Sequence, residues 1–200
     1  MERLAASQIA LPGLDVSVLE SCDSTNSRLL EAPASVRPVL LAAERQSAGR
    51  GRRGRRWHAL PGGSIAFSVA RTIRRPIREL PGLSLIAGAA AARALRALGA
   101  RGVSIKWPND LMVGDAKLGG ILVETRMSGG APLAVIGVGI NHARDPLLAR
   151  RLRRRVACLE DVLRPLPPRN AVIREIAARL LAALEKFERG GLPAAQPRAA

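Results

Sequence analysis

Four strand-like runs follow one another between Val103 and Asn141 with only turns between them: "VSIKW" (103–107), "LMVG" (111–114), "KLGGILVETRM" (117–127) and "LAVIGVGIN" (133–141). The gaps are far too short for the helical crossover that parallel neighbours need, a dozen residues or more, so this run is hairpin-like. Upstream, "LDVSVLE" (14–20) alternates apolar and polar residues as a half-buried strand does. "DSTNSRLLEA" (23–32) reads as a helix with Asp, Ser or Thr at its cap. "VLLAAE" (39–44) predicts a short buried strand, and "SIAFSVA" (64–70) another, entered through the turn signal "PGG". Gly82 to Leu98 is rich in Ala and Leu and predicts a helix, and Pro146 to Arg189 is expected to be helical, with its longest helix near Asn170–Arg189. The expected fold is α/β (α+β): a single domain over residues 1–190 around a mixed β-sheet flanked by helices. The tail 191–200 has the composition of turns and disorder.

The chain has 200 residues and a formal charge of +16. A charge of that size fits a nucleic-acid binder, yet 29 of the 32 basic residues are arginine and they are spread along the chain. Such a bias weakens the argument from charge. The aromatic residues are Trp57, Trp107, Phe67 and Phe187, too few for the stacking platforms that single-strand binders use. Cys22 and Cys158 stand far apart with no Cys/His cluster, which speaks against a disulfide framework or a zinc site and for a reducing compartment. The longest apolar run, Leu80 to Ala92, stops at Arg93, too short to span a bilayer. The expected location is the cytoplasm, with no membrane partner.

Between two strand-like runs lies "AGRGRRGRRW" (48–57), five arginines and three glycines in ten residues. Glycine lets backbone N–H groups approach an anion, and guanidinium groups grip phosphate oxygens through paired hydrogen bonds. The spacing Gly49-x4-Gly54 imitates a P-loop, but Arg55-Arg56 stands where Lys-Ser/Thr is needed, so a Walker NTPase is disfavoured. A solvated basic loop is the plain alternative. Three more segments bear on the choice. "KWPNDLMV" (106–113) contains a turn-forming "PND", "KLGGILVE" (117–124) sets Lys117 before a Gly pair, and "IGVGIN" (136–141) ends an apolar strand with two glycines and an amide. Two of the three lysines of this arginine-rich chain, Lys106 and Lys117, fall within one short window, where a compact point charge suits a site that Arg's fork does not.

Taken in order, "DSTN" (23–26), "QSAGRGRRGRRW" (46–57), "KWPNDL" (106–111), "KLGGILVE" (117–124) and "GVGIN" (137–141) resemble the biotin–protein ligases, and the likeness runs from about residue 14 to 190. It implies the catalytic fold shared by class II aminoacyl-tRNA synthetases and biotin ligases. It also implies a two-step, AMP-forming reaction: biotin's carboxylate attacks the α-phosphorus of Mg²⁺-bound ATP, and a lysine of a biotin carboxyl carrier protein or domain then takes the biotinyl group from biotinyl-5′-AMP. No protein nucleophile is required, and catalysis rests on positioning and on charge stabilisation at phosphorus.

By the same resemblance Ser24, Thr25 and Gln46 hydrogen-bond the biotin head. Gly49, Arg50, Gly51 and Arg52 fold over the acyl phosphate with Arg52 facing it, and Trp57 covers the adenine. Lys117 is the central cation between carboxylate and α-phosphate, with Gly120 as a close backbone approach. Asp110, Asn141 and Asn109 contact the nucleotide or adenylate. The ligands of Mg²⁺ stay open, as does homodimer formation. Cys22, Cys158, His58 and His142 receive no role, and Arg150–Arg155 reads as a solvated helix face. Because "DSTN" arrives at residue 23, no N-terminal helix-turn-helix and no operator DNA partner are expected. Nothing resembling the family's small SH3-like C-terminal domain is recognisable after "KFERGGLPAAQPRAA". Two alternatives stand beside this reading: an adenylate-binding, transfer-deficient homologue, and a non-catalytic basic protein that binds nucleic acid.

Overall fold

A computed structural model describes residues 2–146, 148, 152 and 155–191. Seven strands form one mixed sheet. In chain order they are β1 (Asp15–Cys22), β2 (Val39–Gln46), β3 (Ser64–Thr72), β4 (Val103–Lys106), β5 (Asp110–Val113), β6 (Ala116–Ser128) and β7 (Ala131–Asn141). Their spatial order is β1-β2-β3-β7-β6-β5-β4. Only β1 and β2 pair in parallel, and helix α2 (Thr25–Glu31) lies in the connection between them; a short α1 (Ala6–Ile9) precedes β1. All other neighbours are antiparallel. Strands β6 and β7 meet at Gly129-Gly130, both at positive φ (58° and 81°), the backbone a tight two-residue hairpin turn requires.

Alternation along the central pair decides what each face does. On one side Ile65, Phe67 and Val69 of β3 stand opposite Ile140, Val138 and Ile136 of β7, all buried. They pack with helices α3 (Leu83–Ala97) and α4 (Arg169–Gly190) in the main core. The apolar residues of α4, Val172, Ile176, Leu180, Leu184 and Phe187, recur at helical spacing and are all at most 1% exposed. On the other side Ala66 stands opposite Gly139 and Ser68 opposite Gly137. Helix α2 covers only part of that face, through Leu29, Leu41, Ala70, Leu133 and Val135.

The expected strands appear, several a residue or two longer at one end, and Gly82–Leu98 is helical as α3. The helical reading of Pro146–Arg189 holds at Leu148, at Leu152 and through α4, and is corrected between 155 and 168. There the chain makes a 3-10 turn (Leu159–Asp161), while Val156 forms a parallel bridge to Lys117. Pro165, Pro167 and Pro168 account for the extended stretch before α4, since proline lacks an N–H and holds the preceding residue out of the helical region. Most of Arg150–Arg155, and the tail from 192 onwards, lie outside the described residues. No described helix is long and apolar enough to cross a membrane.

A buried ion pair fixes α4 to the sheet. Arg169, with its side chain 5% exposed, donates from Nη1 and Nη2 to the two carboxylate oxygens of Glu44 on β2 (2.7 and 3.1 Å) and from Nη2 to Glu2 O (2.6 Å). Glu44 also accepts from Leu4 N (2.6 Å), and Asn170 Oδ1 accepts from Ala5 N (3.0 Å), so the same cluster ties down the N-terminal segment. Burial pushes the Glu44 carboxyl up, but the hydrogen bonds from Arg169 and Leu4 and the nearby guanidinium charges outweigh it and hold the group below its ordinary value. Glu44→Ala leaves the Arg169 charge buried and unpaired, at a cost of about 3–5 kcal/mol. Because the folded pKa is depressed, the pair's contribution is full above the unfolded value of ~4.3 and is lost as pH falls through the folded value. Thermal unfolding at pH 7 therefore separates wild type from Glu44→Gln, and the gap between them narrows as the pH is lowered below about 4.

Candidate active site

Where α2 leaves the sheet uncovered, a cavity of about 320 Å³ opens. Its floor is the seam between β3, β7 and β6. Gly139 is flanked by Ala66 and Gly120, and Gly137 by Ser68 and Leu122, so little beyond backbone and methyl groups fills the space. Two of these glycines are demanded by close approach. A Cβ at Gly137 would sit 2.3 Å from Asn26 Oδ1, and one at Gly139 would sit 2.4 Å from the Trp57 ring.

At one end of the cavity stands the N-terminus of α2, capped by Ser24, whose side chain accepts from Ser27 N (3.5 Å). Thr25 N–H donates to Gln46 Oε1 (2.7 Å). Thr25 Oγ1 lies 2.7 Å from Ser68 Oγ, and Ser68 donates to Asn26 Oδ1 (2.6 Å). Asn26 Nδ2 donates to Glu124 Oε2 (2.9 Å), and Glu124 Oε1 accepts from Arg50 Nη2 (2.6 Å). Thr25, Asn26 and Ser68 are at most 3% exposed. Polar groups buried so deeply need their hydrogen bonds satisfied, and here they satisfy one another in a line running from the floor to the Arg/Gly loop.

That loop is a small hairpin. Ser47 N and Ala48 N bond Cys22 O and Asp23 O, prolonging the β1–β2 ladder, and Trp57 N donates to Gly49 O (2.9 Å) while Gly51 N donates to Arg55 O (2.7 Å). Arg53 and Gly54 turn the tip with φ of 57° and 70°. Gly49 does not line the cavity: it packs against the Trp57 carbonyl, which a Cβ would meet at 2.6 Å. Trp57 swings back over Gly139, and its Nε1–H is buried with no hydrogen-bond partner among the described residues.

Opposite the loop, Lys117 Nζ forms an ion pair with Asp110, both side chains lining the cavity. The Lys117 backbone is braced from behind: its N–H donates to Arg155 O (3.1 Å) and its carbonyl accepts from Ala157 N (3.0 Å). Asn109 clasps β6 through Ile121, donating from Nδ2 to Ile121 O while its own carbonyl accepts from Ile121 N (both 2.9 Å). Its Oδ1 accepts from Arg52 Nη1 (3.4 Å). Arg50, Arg52, Arg53, Arg55, Arg56, Lys106 and Lys117 thus surround a cavity whose single acidic lining residue is Asp110. The resulting field favours an anion with several oxygens.

Of the residues singled out in the sequence, Ser24, Thr25, Gln46, Arg50, Gly51, Arg52, Trp57, Asn109, Asp110, Lys117 and Gly120 line this one cavity. Asn141 does not. It is buried, and its Nδ2 donates to Ala157 O (2.9 Å) and Lys117 O (3.3 Å), bracing Lys117 from the far side. The sequence reading passed over Ser68, Asn26 and Glu124. The last two lie inside quoted motifs, whereas nothing local marks Ser68. Trp107, 79% exposed at the cavity's edge, was also passed over.

The residues given no role sit elsewhere. Burial, with Asp161 adding, pushes the Cys158 thiol up to about 11, and burial raises Cys22 as well; both are unpaired thiols. Burial lowers the pKa of His142, whose Nε2 bonds Pro167 O (2.8 Å). His58 is not among the lining residues. Among the described residues no three His, Cys, Asp or Glu side chains gather as a metal site.

Residues 18–141 match the model of the biotin/lipoate A/B protein ligase family. The chain is 40% identical over 196 residues to the bifunctional ligase/repressor BirA of Escherichia coli, an alignment covering 96% of this chain and 61% of that protein. It is 37% identical to the biotin–[acetyl-CoA-carboxylase] ligase of Mycobacterium tuberculosis, covering 83% of this chain and 64% of the relative. The chain therefore spans less than two thirds of the length of these relatives. Among solved structures, the biotin protein ligase of Aquifex aeolicus in complex with biotin and ATP superposes with a TM-score of 0.75 at 29% identity, covering 88% of this chain and 72% of that one.

Two glycine substitutions separate close approach from mere proximity. Gly137→Ala must displace the Asn26 amide and is expected to cost about 1–3 kcal/mol in thermal unfolding. Gly120→Ala places its methyl 3.5 Å from Lys117 Nζ, an ordinary contact, and is expected to stay within about 0.5 kcal/mol of wild type.

Proposed function

Since the chain belongs to the biotin/lipoate A/B protein ligase family, we propose that it is an ATP-dependent biotin–protein ligase. The observation that carries this reading is the hydrogen-bond polarity of the cavity floor. Ser68 commits its proton to Asn26 Oδ1, so the single Thr25 hydroxyl proton is shared between Ser68 Oγ (2.7 Å) and Gln46 Oε1 (3.2 Å). Thr25 Oγ1 is then left with a lone pair for the cavity. Gln46 has its oxygen taken by Thr25 N–H and offers its Nε2 hydrogens. An acceptor beside a donor is what a cyclic urea, N–H next to C=O, binds to. The head group of biotin is such a urea.

With the head seated there, the valeryl chain runs along the cavity beside the Trp57 ring, which itself packs on Gly139. Its carboxylate reaches the cations at the other end. Lys117, oriented by its ion pair with Asp110, exchanges that partner for the carboxylate and the α-phosphate. Arg52 approaches from the loop, supported by Asn109. A carboxylate oxygen attacks the α-phosphorus, pyrophosphate leaves, and the positive groups offset the charge that builds at phosphorus. Asp110, the acidic residue lining the cavity, would help to hold Mg²⁺ bound to the triphosphate, and the ion would supply charge neutralisation there. The closed loop keeps water from the mixed anhydride. In the second half-reaction the ε-amine of an acceptor lysine on a biotin carboxyl carrier domain attacks the acyl carbon, and AMP departs. The two unpaired cysteines suit a cytoplasmic protein.

The test is biotin-dependent exchange of labelled pyrophosphate into ATP. Exchange with biotin and not with lipoate is the expected result, and no exchange with either acid sinks the reading. Lys117→Ala and Arg52→Ala are each expected to lower exchange by about 10²-fold or more. Arg179→Ala, which removes an ion pair with Glu175 on the exposed side of α4, leaves it unchanged.

A further inference from the structure

Glu124 receives no role from the sequence motifs, yet it is where the two working parts of the site meet. It lies on β6 with its side chain 22% exposed, outside the residues that line the cavity. One carboxylate oxygen accepts from Arg50 of the Arg/Gly loop and the other from Asn26 at the head of α2. Arg50 is held on its other side by Ser27 Oγ (3.3 Å). We infer that Glu124 is a positioning residue that both anchors the Arg/Gly loop and sets the hydrogen-bond polarity of the head-group pocket. The inference about the pocket rests on the biotin ligase reading; the one about the loop does not.

An ionised carboxylate only accepts, so Asn26 must turn its Nδ2 towards Glu124 and its Oδ1 towards Ser68. That orientation fixes each proton further along: Ser68 gives to Asn26, Thr25 shares its proton between Ser68 and Gln46, and Thr25 Oγ1 faces the cavity as an acceptor. Reverse the Asn26 amide and Ser68 gives to Thr25 instead, which releases the Thr25 proton to Gln46 Oε1 (3.2 Å) or to the cavity, where it opposes the N–H of the urea. The same carboxylate neutralises Arg50, the first of the five closely spaced arginines of the loop. Loop closure and floor polarity therefore share one negative charge, with the longer contacts to Leu122 O (3.5 Å, from Asn26) and Ser27 Oγ (3.3 Å, from Arg50) beside it.

Glu124→Gln keeps the shape and spoils the pattern, because an amide oxygen serves either Arg50 or Asn26 while its NH₂ confronts the other donor. Adding Asn26→Asp restores it: the new carboxylate accepts from Ser68 and from the Gln amide, whose oxygen accepts from Arg50. Two readouts apply. The first is the rate of tryptic cleavage within residues 50–56 of the ligand-free protein, with fragments identified by mass. The second is the KM for biotin against kcat in pyrophosphate exchange. For Glu124→Gln we expect loop cleavage about tenfold faster and KM for biotin about tenfold higher, with kcat at saturating biotin within about threefold of wild type. The Asn26→Asp/Glu124→Gln double variant is expected to return both to within about threefold of wild type. Wild-type values for Glu124→Gln in both assays, or a double variant no better than Glu124→Gln alone, overturn the inference. Wild-type protein that exchanges no pyrophosphate with biotin defeats the ligase reading and the polarity argument built on it. The cleavage comparison, which needs no ligand, still decides whether Glu124 holds the loop.

Discussion

A β-strand gives its two faces different work only if its side chains differ by parity, and β7 is an extreme case. Val138 and Ile140 fill the core on one side, while Gly137 and Gly139 offer bare backbone on the other. The asymmetry explains how a domain of this size holds a dense core and a deep polar cavity within the thickness of one sheet. The space left over the glycines is occupied in part by the Trp57 ring and in part by the Asn26 amide. These are the ends of two different segments, so the bare strand also determines how closely the loop and α2 can approach each other.

Around that floor the charges are arranged at two depths. Arg53, Arg55 and Arg56 are exposed to solvent, where screening is strong and each is worth little by itself. Lys117 and Asp110 are partly buried, at 16% and 29% side-chain exposure, in a setting of lower effective dielectric where an ion pair has more influence. In the proposed reaction the outer layer would draw in a polyanion and the inner layer orient it. Bracing follows the same logic. Asn141 and the 155–157 segment hold the backbone of Lys117 rather than its ammonium group, leaving the side chain to change partners while its root stays fixed.

Much of this was legible in the chain. Period-two alternation and the turn residues between 103 and 141 carry the meander, and the crowding of Arg and Gly at 48–57 marks the loop that borders the cavity, because both are local signals. The stretch 155–168 was misread as helical: the decisive facts there are the prolines at 165, 167 and 168 and a bridge from Val156 to a strand far away in sequence. Asn141 was placed at the ligand because it ends a glycine-rich motif, yet its amide turns inward to backbone carbonyls, a choice made by tertiary packing. Ser68 and Glu124 were invisible for the opposite reason. A serine in an apolar strand and an acid in an amphipathic one are unremarkable until the fold sets them on either side of Asn26.

The seam between β3 and β7 has a consequence for how the protein comes together. Residues 103–141 can zip into their meander through neighbouring turns, and β1, α2 and β2 form a second local unit. The floor belongs to neither. It exists only once Ala66 and Ser68 have paired with Gly139 and Gly137 across some seventy residues of chain, the kind of distant contact that forms late because its loop-closure entropy is large. A ligand held on that floor grips both units at once. Its binding energy is thus added to the cooperative unfolding of the whole domain rather than to a local patch, and half of the domain, however well folded, would have no site to offer.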